Sequence, residues 1–71
     1  SDCTIDFEQV YATEAQAKEA LAYLTEKARA AESEPCTIRS EISAVENGVK
    51  LKATFEFCCQ AESMIFQLST R

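Results

Sequence analysis

Four cysteines, Cys3, Cys36, Cys58 and Cys59, have the widest chemical reach in this 71-residue chain. Thiolates bind soft metals, exchange disulfides and attack electrophiles. Histidine is absent, which removes the commonest general base and the commonest metal ligand. Three thiolates could hold part of a zinc or iron–sulfur site, but their spacing matches no C-x-x-C pattern and no imidazole can complete it. Carboxylates come next. Asp6 and Glu8 alternate along one segment and would suit acid–base work or a divalent ion, yet a solvated strand face explains them more simply. Glu14, Glu19 and Glu26 read as the wet side of a helix. A single glycine excludes a phosphate loop, and no serine sits in a Gly-rich nucleophile turn. No catalytic residue, cofactor or metal is expected.

The elements that must position these groups are legible from period. Cys3, Ile5 and Phe7 alternate with Thr4, Asp6 and Glu8, the mark of a half-buried strand running to about Tyr11. Thr13-Glu14-Ala15-Gln16 reads as a capping box opening a helix. Ala17, Ala20, Leu21, Leu24, Ala28 and Ala31 then form one stripe, and Pro35 cannot continue the helix beyond about Glu32. Asn47-Gly48 lies between two alternating runs and predicts a type I′ hairpin turn. That turn sets Glu46 opposite Val49, Ala44 opposite Leu51, Ile42 opposite Ala53 and Ile38 opposite Phe57. Arg39 and Glu56 become a cross-strand ion pair. Ala61, Met64, Ile65 and Leu68 have helical spacing and predict a short second helix with that stripe in the core.

The order is thus β-α-β-β-α, one domain over residues 1–71. A right-handed crossover lets the third strand insert between the first two. The fold class is α+β: a two-layer α/β sandwich with a three-stranded, antiparallel-paired sheet in order 1-3-2 and both helices on one face, half of a ferredoxin-like arrangement. In this topology Cys3, Cys36 and Cys59 converge at one end of the core. Cys59, just before the second helix, meets free N–H groups that favour a thiolate. Three readings stay open: small apolar side chains closing the core, a redox or metal role, and a disulfide. The first is the simplest. A Cys58–Cys59 bridge strains the backbone, and Cys36 and Cys59 form a hydrogen-bonded pair whose Cα atoms stand wide apart.

Twelve acidic against seven basic residues give a net charge of −5, so nucleic acid is not an expected partner. No apolar run nears the ~20 residues of a membrane span. The chain begins without Met and shows no signal peptide, as if residues precede Ser1 in the intact protein.

Leu24-Thr25-Glu26-Lys27-Ala28-Arg29, Glu32-Ser33-Glu34-Pro35-Cys36 and Ile65-Phe66-Gln67-Leu68, with Asp2-Cys3-Thr4 in front, carry a resemblance. Over essentially all 71 residues the chain resembles the YfcZ/YiiS family of bacterial proteins of unknown function. The resemblance implies a bacterial, cytoplasmic protein and brings no activity or catalytic residue with it. Some members of that family carry a cysteine-rich stretch upstream of the position matching Asp2, which does not occur in these residues. Cys3, Cys36 and Cys59 fall at matching positions, whereas Cys58 stands where the family pattern has a small residue.

A 71-residue core is marginal, and missing catalytic chemistry points away from an enzyme. The leading expectation is a non-enzymatic homodimer acting through contacts with itself or an unknown protein partner. A thiol-based redox or metal-binding role through Cys3, Cys36 and Cys59 is the alternative. Phe66 lies about 140° around the second helix from Ala61, off the Met64–Leu68 stripe, and is the expected interface residue.

Overall fold

The computed structural model describes residues 3–71; Asp2, part of the opening motif, lies outside them. Five elements follow one another: β1 (Thr4–Tyr11), α1 (Glu14–Ala31), β2 (Thr37–Val45), β3 (Gly48–Glu56) and α2 (Gln60–Ser69). The sheet has the order β1-β3-β2, with both pairings antiparallel. Apolar residues on one side of all three strands explain this arrangement. Ile5, Ile38 and Phe55 share a row, as do Phe7 and Ala53, and both helices cover that side.

α1 starts where the capping residues are. Thr13 is extended, and its hydroxyl accepts from the Gln16 backbone N–H at 3.2 Å. The reciprocal bond differs from a standard box, because the Gln16 side-chain oxygen accepts from the Ala12 N–H, also at 3.2 Å, rather than from the Thr13 N–H. A cap of this kind contributes about 1 kcal/mol. The helix buries Ala17, Leu24, Ala28 and Ala31 and half-buries Ala20 and Leu21, the stripe its spacing predicts. Its small alanines let the backbone approach the sheet.

The hairpin departs from expectation by two residues. Val45 pairs with Gly48 and Ile42 with Leu51, so Glu46 and Asn47 form the turn. No described non-glycine residue has a positive φ, which rules out the I′ geometry. Gly48 instead has φ +149, and a Cβ there would lie 2.1 Å from the Tyr11 carbonyl oxygen. The glycine admits the end of β1 rather than tightening the turn. A slip of two preserves the alternation, so the faces stay as expected. Arg39 still reaches Glu56, at 2.6 Å on the open face, now diagonally rather than directly across.

α2 is rotated relative to expectation. Glu62, Ser63 and Phe66 face inward, while Met64, Ile65 and Leu68 face out. Phe66 is 2% exposed and packs its ring 4.7 Å from Phe55 and 5.3 Å from Phe57. Helical spacing fixes a period but not a phase. One aromatic ring filling the gap between two others outweighed three aliphatic side chains left in water, since tilted ring pairs add about 0.5–1.5 kcal/mol beyond their area. The assignment of Phe66 to an interface is therefore corrected: it is a core residue.

Candidate functional site

The expected trio of thiols does not assemble as a core cluster. Cys36 is buried within the core, Cys3 is half-buried, and Cys59 is exposed. Strand alternation places Cys59 inward only if β3 continues that far, but β3 ends at Glu56 and the chain bends at Cys58–Cys59. The two-residue shift of the hairpin also carries Cys36 toward Phe57 rather than Cys59, since its neighbour Thr37 pairs with Glu56. Cys3 sits beside Phe57, its carbonyl accepting from the Phe57 N–H at 2.9 Å. Cys59 does take the position before α2, as its N-cap, without a capping hydrogen bond from its own side chain.

Cys36 is held by a small polar knot at the end of α1. Arg29 donates to the Glu32 carboxylate at 2.8 Å and to the Cys36 carbonyl at 3.1 Å. The Cys36 N–H donates to Glu32 at 2.9 Å. Burial pushes the Cys36 thiol up, and the hydrogen bond and charge of Glu32 push it further. Burial and the neighbouring carboxylate both work against thiolate chemistry there.

A different group forms where β3 hands over to α2. Among the described residues, Cys58, Cys59 and Glu62 are the one set of three potential ligands whose donor atoms all lie within 4.8 Å of one another. The bend brings the two thiols to the first turn of α2, and Glu62 follows them by four and three residues, the spacing of one helix face. That spacing was the available signal in the sequence; the inward phase of α2 hid it. Glu62 is 4% exposed. Its Oε2 accepts from the Ser33 backbone N–H at 2.8 Å, from the Ser33 hydroxyl, and from the Cys58 thiol at 3.4 Å. Its Oε1 is buried with no hydrogen-bond partner among the described residues. Loss of hydration, then the neighbouring Cys59 thiol and the Glu62 carboxylate, push Cys58 up to about 11.

Ser33 holds the Glu62 carboxyl below the usual range, and the Cys36 N–H and Arg29 do the same for Glu32. Both groups bind their proton more weakly when folded, so the unfolded chain takes up more protons in acid. Their stabilisation is complete above the ordinary carboxyl value and is lost as pH falls through the lowered ones. Urea unfolding measured from pH 7 down to pH 3 should show this loss, with a shallower acid limb in Glu62→Gln. An acid limb identical to that of the parent would refute the Glu62 contribution.

The open sheet face carries the remaining carboxylates. Asp6 accepts from Thr54 at 3.1 Å, and Glu8 pairs with Lys50 at 3.8 Å. A concavity of about 400 Å³ there is lined by Asp6, Phe7, Glu8, Lys52, Ala53 and Thr54. Asp6 and Glu8 are each engaged by a neighbour of the opposite character, as a solvated strand face requires.

Fold and groups together define a small two-layer α+β domain with a thiol–carboxylate set at the start of its last helix. The chain belongs to the family described as Protein of unknown function (DUF406), which it matches over residues 1–71. It is 59% identical over all 71 residues to a UPF0381 protein of Haemophilus influenzae, covering 75% of that protein. It is 49% identical, again over 71 residues, to the UPF0381 protein YfcZ of Escherichia coli K12, covering 76% of it. These relatives bear out the resemblance to the YfcZ family. The solution NMR structure of VC_A0919 from Vibrio cholerae shares the fold, with a TM-score of 0.70 and 26% identity over the whole chain. The chain spans 64% of that structure, under two thirds of its length. The family's description assigns no activity, and none of these relatives favours the redox or metal reading of Cys3, Cys36 and Cys59. Among the described residues no helix is long and apolar enough to cross a membrane.

Proposed function

We propose that this domain is a non-enzymatic cytoplasmic protein that works through protein–protein contact, as a homodimer joined at the outer face of α2. The observation that carries this reading is the apolar strip on that face: Met64 is 53% exposed, Ile65 52% and Leu68 60%. Glu62 is the one charged residue of α2, and it is buried. The outer face is therefore neutral in a chain of net charge −5. Two copies can meet there without like-charge repulsion, which any other acidic surface of the molecule would bring. A two-fold axis lets one patch cover its own copy, and methionine is favoured in interface cores. The non-enzymatic reading is supported by the lack of histidine and by the burial of Cys36 in the core.

Sedimentation equilibrium of the reduced protein at micromolar concentration should give the dimer mass. Ile65→Glu places like charges across the axis and should weaken association by about tenfold or more, near 1.4 kcal/mol, with the circular dichroism spectrum unchanged. Monomer mass for the parent protein would overturn the dimer. Association untouched by Ile65→Glu would overturn its assignment to α2.

A further inference from the structure

We propose that Cys58, Cys59 and Glu62 form a binding site for a thiophilic divalent cation, zinc by preference, at the start of α2. This goes beyond the contact role above and does not depend on it. Three features carry the inference. Geometry is the first. The three donor atoms already lie within 4.8 Å of one another, and Cys58 Sγ is 3.4 Å from Glu62 Oε2. Tetrahedral zinc, with sulfur at ~2.3 Å and oxygen at ~2.1 Å, sets its ligands roughly 3.5–3.8 Å apart. Rotation of two exposed thiol side chains closes the difference.

The second feature is the orphaned Glu62 Oε1. It is buried without a partner among the described residues, and an ionised oxygen out of water without a partner is costly. A cation bound by the same carboxylate offsets that charge. Oε2, the oxygen 3.4 Å from Cys58 Sγ, is also bonded to the Ser33 N–H and hydroxyl, which aim the carboxylate as outer contacts aim metal ligands.

Charge and access are the third. Three anionic donors around a divalent ion leave one net negative charge, the sign that a helix N-terminus stabilises. Two sulfurs select zinc or a similarly soft ion over magnesium or calcium. Because Cys58 and Cys59 are exposed, the ion reaches the site from solvent, and the fourth position is left to water. Binding breaks both S–H bonds, with the two protons passing to solvent and both sulfur electron pairs to the metal.

The test is a titration of the reduced full chain with Co²⁺, whose thiolate charge-transfer band in the near ultraviolet reports sulfur ligation, followed by displacement with Zn²⁺. One ion per chain and such a band are expected. Cys58→Ser and Cys59→Ser should each lower zinc affinity by tenfold or more, while Cys36→Ser leaves it unchanged. Glu62→Gln also removes contacts to Ser33, so the exposed Cys59→Ser is the deciding variant. A cobalt spectrum without thiolate bands, or zinc affinity unchanged in Cys59→Ser, would overturn the site.

Discussion

Phe66→Ala should leave the domain unfolded or barely folded at room temperature. The ring is 2% exposed and touches both Phe55 and Phe57, so its removal opens a cavity bounded by two more rings. Truncations of this kind cost about 3–5 kcal/mol. A chain of this length has roughly 4–11 kcal/mol of total stability at ~0.05–0.15 kcal/mol per residue. At the lower end of that range, where a core this small belongs, the loss takes the whole reserve. Collapse cannot easily repair it, because α2 is tied at its start by the Glu62–Ser33 bonds. Urea denaturation followed by circular dichroism measures the effect. A midpoint within error of the parent would show that Phe66 is peripheral, as its sequence position first suggests.

Gly48→Ala should be nearly as damaging for an unrelated reason. The added methyl would sit 2.1 Å from the Tyr11 carbonyl oxygen and 3.2 Å from its carbon, at a φ of +149 that side chains rarely adopt. Strained dihedrals cost about 1–3 kcal/mol, and forced overpacking costs a similar amount. The obstruction is backbone, which cannot swing aside as a flexible side chain does. The Tyr11–Val49 pairing must give way. Amide exchange at Val10, Tyr11 and Val49 should accelerate by about tenfold or more, together with a drop in melting temperature. Unchanged exchange at these amides would mean that β1 finds another route past position 48.

What could be read in advance was whatever period and alternation determine. Ile5, Phe7, Ile38, Leu51, Ala53 and Phe55 alternate with polar partners, so the buried side of each strand was legible and the order 1-3-2 followed. Thr13 and the alanine stripe located α1. The hairpin register was not legible, because Asn47-Gly48 satisfies a turn of its own and also a turn one step earlier. Deciding between them required the approach of Tyr11 to Gly48, a contact between residues distant in sequence. The phase of α2 was hidden for a related reason. Met64, Ile65 and Leu68 form the more apolar stripe, but the space beneath the helix is shaped by Phe55 and Phe57 and takes a ring. The thiol site was misassigned with it, since Cys58 and Glu62 come together only once Glu62 turns inward.

The position of β3 between its two neighbours also divides the work of folding unequally. β2 meets β3 across a two-residue turn, whereas Thr4 must find Glu56 across most of the chain. Closing the second loop costs far more chain entropy than closing the first. A folded α1 shortens the effective path and lowers that cost. The hairpin is thus the part of the sheet that can exist early, on a microsecond scale, and β1 is the latecomer that completes it. Until β1 arrives, one side of β3 offers unpaired N–H and C=O groups to any extended chain nearby. For this protein the hazard of mispairing is concentrated in its most buried strand, during the interval before β1 covers it.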